Sequence, residues 1–79
     1  MKVKSIGSNM TEVRYGLYII LVSYETPVAY IDAATSTAYK TKKWYSATTT
    51  RHINKFLGLY GYDDAIKVDQ QKIGQLMSR

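Results

Sequence analysis

The chain has 79 residues, 46% of them hydrophobic and 22% charged, with a net charge of +5, values that fit one domain over residues 1–79 and exclude intrinsic disorder. Cysteine is absent, which excludes disulfide frameworks and thiolate metal sites and favours an intracellular address. The longest apolar run, Leu17–Val22, is six residues against the roughly 20 that span a bilayer, and Met1-Lys-Val-Lys does not open a signal peptide; a cytoplasmic protein without a membrane partner is expected.

Val3–Ile6 reads as a short strand closed by the turn cluster Gly7-Ser8-Asn9. Met10–Tyr15 alternates, with Thr11, Val13 and Tyr15 on one side and Glu12 and Arg14 on the other, and Gly16 marks the next reversal. Leu17–Tyr24 is β-branched and aromatic with almost no polar face, the pattern of a central strand. Glu25-Thr26-Pro27 then turns the chain, with Pro27 where no ladder hydrogen bond is needed. Val28–Asp32 follows as a partner strand, Ala33–Thr37 as a loop, and Ala38–Trp44 as a last strand carrying Lys40 and Lys42 on one face.

The second half turns helical. Thr48, Thr49 and Thr50 offer an N-cap hydroxyl, and Ile53, Phe56, Leu57 and Tyr60 recur at helical spacing. Arg51 and Lys55 are neighbours on the opposite face, while His52 and Asn54 flank the stripe on its two sides. Gly58 and Gly61 end this helix near Tyr60. Asp63–Val68 is a connection with a short extended piece. Asp69 then caps a closing helix, Val68 and Ile73 forming a hydrophobic staple and Leu76 and Met77 continuing its apolar face. The expected fold is α+β: an antiparallel sheet of four to five strands on one main helix (about 49–60), with a short C-terminal helix (about 69–78).

The charge is not spread evenly. Lys40, Lys42, Lys43, Arg51 and Lys55 all fall between Ala33 and Tyr62, where no acid occurs, so the whole excess sits in that stretch. A helix start offers unpaired N–H groups and a partial positive charge. Surrounded by Thr49, Thr50, Arg51 and Lys55, it has the parts of a phosphate site. Trp44 and Tyr45 beside the lysines could stack bases, although adjacent strand residues face opposite ways and only one of the two is free to do so. Lysines on an edge strand also block edge-to-edge pairing, a purely structural reading of Lys40, Lys42 and Lys43. On this balance Arg51 and Lys55 are the expected contacts, and the lysine strand supplies the surrounding field.

His52 is the single histidine, and no spacing joins it to a carboxylate set or a nucleophile. It is expected to be half-buried and bonded to a neighbour, with no catalytic residue, no metal and no cofactor. The eight tyrosines either coat a half-buried sheet or present a protein-binding surface.

Ser23-Tyr-Glu-Thr-Pro-Val-Ala29, Tyr39-Lys-Thr41 and Thr49-Thr-Arg-His-Ile-Asn-Lys55 resemble a family of small uncharacterised bacteriophage proteins, common in marine tailed phages including those of cyanobacteria. The opening Met1–Glu12 and the Val68-Asp-Gln70 cap are similar to that family as well. Members typically have a longer Asn/Gly-containing hairpin where this chain has Arg14-Tyr15-Gly16. The resemblance implies a phage origin, hence the host-cell cytoplasm, and marks Arg51, His52, Asn54 and Lys55 as a characteristic cluster.

Two readings of function follow. In the first, the protein is a non-enzymatic DNA- or RNA-binding protein: Lys40, Lys42, Lys43, Thr49, Thr50, Arg51, His52, Asn54 and Lys55 hold phosphates, and one of Trp44 and Tyr45 stacks on a base. In the second, it is a phage interaction protein that modulates a host protein through a Tyr-rich surface, as a monomer or a homodimer.

Overall fold

Three tight reversals shape the first half of the chain. In the computed structural model, which describes residues 1–76, Ser8-Asn9, Gly16-Leu17 and Tyr24-Glu25 each form a two-residue hairpin turn. Asn9, Gly16 and Tyr24 take φ values of 59°, 60° and 57°, the left-handed backbone that such turns require. The strands they join are β1 (Lys2–Gly7), β2 (Met10–Tyr15), β3 (Tyr18–Ser23) and β4 (Thr26–Asp32). A longer turn leads to β5 (Thr37–Thr41), and then come α1 (Ala47–Leu59), β6 (Ile66–Val68) and α2 (Gln70–Gln75).

The sheet runs β1-β2-β3-β4-β5-β6, antiparallel through β5, with β6 pairing parallel to β5. The expected four to five antiparallel strands are therefore corrected to six in a mixed sheet. A chain that leaves β5, crosses as a helix and returns beside it must arrive parallel. The last antiparallel strand is consequently not an edge, and β6 takes that place. Pro27 lies within β4 instead of the turn. It is tolerated beside a bulge at Val28, which the register skips between Leu21↔Ala29 and Val22↔Pro27.

Both faces of the sheet are covered. Met10, Leu21, Ala29, Ile31 and Ala38 pack with Ile53, Phe56 and Leu57 of α1. Val13, Ile20 and Tyr30, from the alternate positions, pack with Ile73 of α2. This is why β3 lacks a polar face: Ile20 and Leu21 point opposite ways and both are fully buried. On the α2 side Tyr30 lies between Tyr39, stacked at 4.6 Å, and Tyr18, edge-on at 5.8 Å, a cross-strand aromatic ladder.

The ends of α1 come from local chemistry. Ser46, not a threonine, is the N-cap, its Oγ accepting the Thr49 N–H at 3.1 Å. The helix thus begins two residues before the expected Thr49. At the other end Tyr62 N–H bonds Leu57 O (2.9 Å) and Gly61 N–H bonds Gly58 O (3.2 Å), with Gly61 at φ +80°. That is a Schellman closure, and it needs the glycine. Asp69 is the N-cap residue of α2 but makes no side-chain capping bond. Val68 and Ile73, the expected staple pair, both belong to the α2-side core. α2 stops at Gln75, shorter than the expected 69–78, and Met77 lies outside the described residues. No helix among the described residues is long and apolar enough to cross a membrane.

Candidate nucleic-acid interface

The end of β5 turns toward the start of α1 because Thr41 Oγ1 accepts the Lys43 N–H at 3.1 Å, while Lys42 N–H still bonds Val68 O of β6 at 2.9 Å. Between this bend and the helix is a cavity of about 190 Å³. Lys40, Lys42, Lys43, Trp44 and Tyr45 line it from the strand and bend, and Thr49, Thr50 and Asn54 from the helix. Lys67 of β6 completes the wall. Eight of the eleven sequence-selected residues thus meet around one hollow.

Their charges are not all free. Lys40 Nζ pairs with Asp64 at 3.1 Å and Lys42 Nζ with Asp69 at 3.4 Å, so acids from the β6 segment enter a stretch that contains none in sequence. Asp64 also caps the turn before Ala65, its carboxylate accepting the Ala65 N–H at 2.8 Å. That bond and the Lys40 ammonium hold its carboxyl below the usual aspartate value. Lys43 Nζ stands 4.9 Å from the centre of the Tyr45 ring, a cation–π contact. Lys67 lies directly opposite Lys40 in the β5–β6 register, a like-charge juxtaposition. Of the adjacent aromatics, Tyr45 is half-buried against the α1-side core and Trp44 is 72% exposed. One faces the core and one faces solvent, but not by strand alternation: β5 ends at Thr41, short of the expected Trp44, and both residues lie in the irregular connection to α1.

Arg51, His52 and Lys55 do not line the cavity. With the helix starting at Ala47, Arg51 belongs to the second turn, and its guanidinium donates to Thr48 Oγ1 at 3.3 Å. It and Lys55 are exposed, on the helix face away from the buried stripe. His52 flanks that stripe on the β3 side, its Nδ1 2.8 Å from Ser23 Oγ, with Tyr24 tilted over the ring at 5.8 Å. Ser23 Oγ also meets Thr49 Oγ1 at 3.1 Å. Ser23 is 2% exposed, and this serine–histidine pair ties α1 to β3. Among the described residues no group of three or more His, Asp or Glu could hold a metal.

Two features escape the sequence reading. Lys67 reaches the cavity only through the parallel register of β6, which no alternation pattern in a three-residue strand announces. Glu12, which alternation puts on the side opposite Val13, is buried. It accepts the Tyr60 hydroxyl and, at 3.0 Å, Arg14 Nε, while Arg14 also donates to Tyr60 Oη at 3.2 Å. Burial pushes the Glu12 carboxyl up, but the Tyr60 and Arg14 hydrogen bonds outweigh it and the group lies below its usual value. Of the eight tyrosines, Tyr30 is buried, Tyr24 is exposed and the other six are half-buried.

A family of unknown function, DUF8033, matches residues 1–75. The chain belongs to that family. No curated protein and no solved structure matches it. For this DUF8033 protein, function must therefore be argued from the cavity and its charges.

Proposed function

We propose that this is a non-enzymatic nucleic-acid-binding protein of the tailed-phage type, acting in the host cytoplasm and gripping the phosphate backbone at the β5–α1 cavity. The observation that carries the reading is the convergence of Lys42, Lys43 and Lys67, from a bend and a separate strand, on one hollow. The Lys42–Asp69 pair is largely solvent-exposed and therefore weak, so a phosphate can compete for that ammonium. Lys40 is the most enclosed partner, its side chain 22% exposed and already paired, and it contributes field more than contact. Arg51 and Lys55, outside the cavity, add long-range attraction. The phage assignment is supported by the Thr49–Lys55 signature and the Met1–Glu12 opening.

Because lysine–phosphate contacts release counterions, log K should fall linearly with log salt by about 0.7–0.9 per phosphate. Binding of labelled DNA and RNA, single- and double-stranded, across a salt series measures this. Replacing Lys42, Lys43 and Lys67 together by Ala should flatten the slope by about 2, and Arg51→Ala with Lys55→Ala by less than about 1. An unchanged slope in the triple variant would refute the proposal.

A further inference from the structure

We infer that the nucleic acid this protein takes is single-stranded, with one base stacked on Trp44 and its neighbouring phosphates held by Lys42, Lys43 and Lys67; the inference rests on the phosphate-binding reading above. Trp44 is 72% exposed, and its indole has no hydrogen bond and no ring partner among the described residues. Tryptophan is a residue whose large apolar body normally ends up covered. Here it projects from a bend between two lysines and a helix start, where neither sheet nor helix packing calls for it.

The surroundings suit one base and not a duplex. In a duplex the bases stack on one another and offer no π-face, whereas every unstacked base offers one. Reading a duplex takes an element laid into a groove about 12 Å wide. The bend holding Lys42, Lys43 and Trp44 is instead a short corner set against β6 by the Lys42 N–H bond to Val68 O. The hollow, at about 190 Å³, is smaller than the roughly 300–1,000 Å³ of pockets that engulf a small ligand. It is better matched to a phosphate or base edge of a strand that passes over it. The side chain of Asn54, exposed on the cavity side of α1, makes no hydrogen bond within the described residues, so its amide is free to meet a base edge on an unpaired strand.

Trp44 is the one tryptophan of the chain, so intrinsic fluorescence reports on this ring alone. The wild-type protein, Trp44→Ala and Trp44→Phe would be titrated across a salt series with a labelled twelve-nucleotide oligothymidine, the matching oligouridine and a twelve-base-pair duplex. Single strands should quench wild-type fluorescence. Stacking is worth about 1–3 kcal/mol per base, so Trp44→Ala should weaken single-strand binding about 5- to 150-fold with the salt slope unchanged. Trp44→Phe should recover most of that loss, and duplex binding should change less than about twofold. Circular dichroism and the melting temperature of Trp44→Ala should match wild type, since the ring is 72% exposed. Unchanged single-strand affinity in Trp44→Ala, or equal losses on single strand and duplex, overturns the inference and leaves the phosphate reading standing. Salt-independent or absent binding to every probe overturns the phosphate reading itself.

Discussion

Tyr60→Phe removes one oxygen from the Glu12–Tyr60–Arg14 cluster and leaves the ring, which packs edge-on against Phe56 at 5.5 Å. The lost hydroxyl donates to a buried carboxylate, and a hydrogen bond to a charged group is worth about 1.5–3 kcal/mol net. A neutral one is worth about 0.5–1.5 kcal/mol, so the penalty must depend on the protonation of Glu12. The folded carboxyl lies below its ordinary value of 4.5. Its contribution is therefore fully present above that value and is lost as pH falls through the lower, folded one. In Tyr60→Phe the burial that raises the Glu12 value is opposed by less, so this loss begins at higher pH. Urea unfolding at pH 7 should show the variant destabilised by about 2 kcal/mol. With a slope near the low end for small proteins, the midpoint should drop by about 1–2 M. At a pH below the folded Glu12 value the gap should shrink by about 1 kcal/mol. Equal penalties at both values, or a penalty at pH 7 below about 0.5 kcal/mol, would refute the charged hydrogen bond.

Ile73 is fully buried and is the centre of the α2-side core, so Ile73→Ala should cost about 2–5 kcal/mol, a large share of the roughly 4–12 kcal/mol expected for a domain this size. Calorimetry would measure it, and a loss under about 1 kcal/mol would mean that α2 does not seal that face. Ser46→Ala removes the cap of α1 and should cost about 1 kcal/mol while raising hydrogen exchange at Thr49. An unaffected Thr49 amide would show that the cap bond at 3.1 Å contributes nothing.

Much of the architecture is written in the alternation of β2, the unbroken apolar run of β3 and the Ile53–Phe56–Leu57 stripe, because these segments are long enough for their patterns to show. The helix start is less legible, since Ser46, Thr48, Thr49 and Thr50 are all capping residue types. One signal does separate them: Thr49 stands four residues before Ile53 and seven before Phe56, so it continues the buried stripe and belongs inside the helix. Its 6% exposure follows from that. β6 has three residues, two of them exposed, too few to display a face, and with it the parallel pairing and Lys67 stayed hidden. The burial of Glu12 went unseen for a different reason. Alternation predicts which side a residue takes, not whether a helix will roof that side, and here Tyr60 comes down over it.

β6 also has a consequence for the life of the interface in time. Antiparallel hairpins join neighbours through short loops, whereas β6 can dock only after α1 has crossed the sheet, so its pairing closes the largest loop for the shortest ladder. With Ile66 54% exposed and little buried, it belongs among the segments that open at low free-energy cost. When it lifts, it takes Lys67 from the wall, and it takes Asp64 and Asp69 from Lys40 and Lys42. The open state loses one contact and unmasks two ammonium groups. The strand that completes the hollow is thus also its counter-ion, and fraying exchanges a shaped grip for a more strongly charged surface.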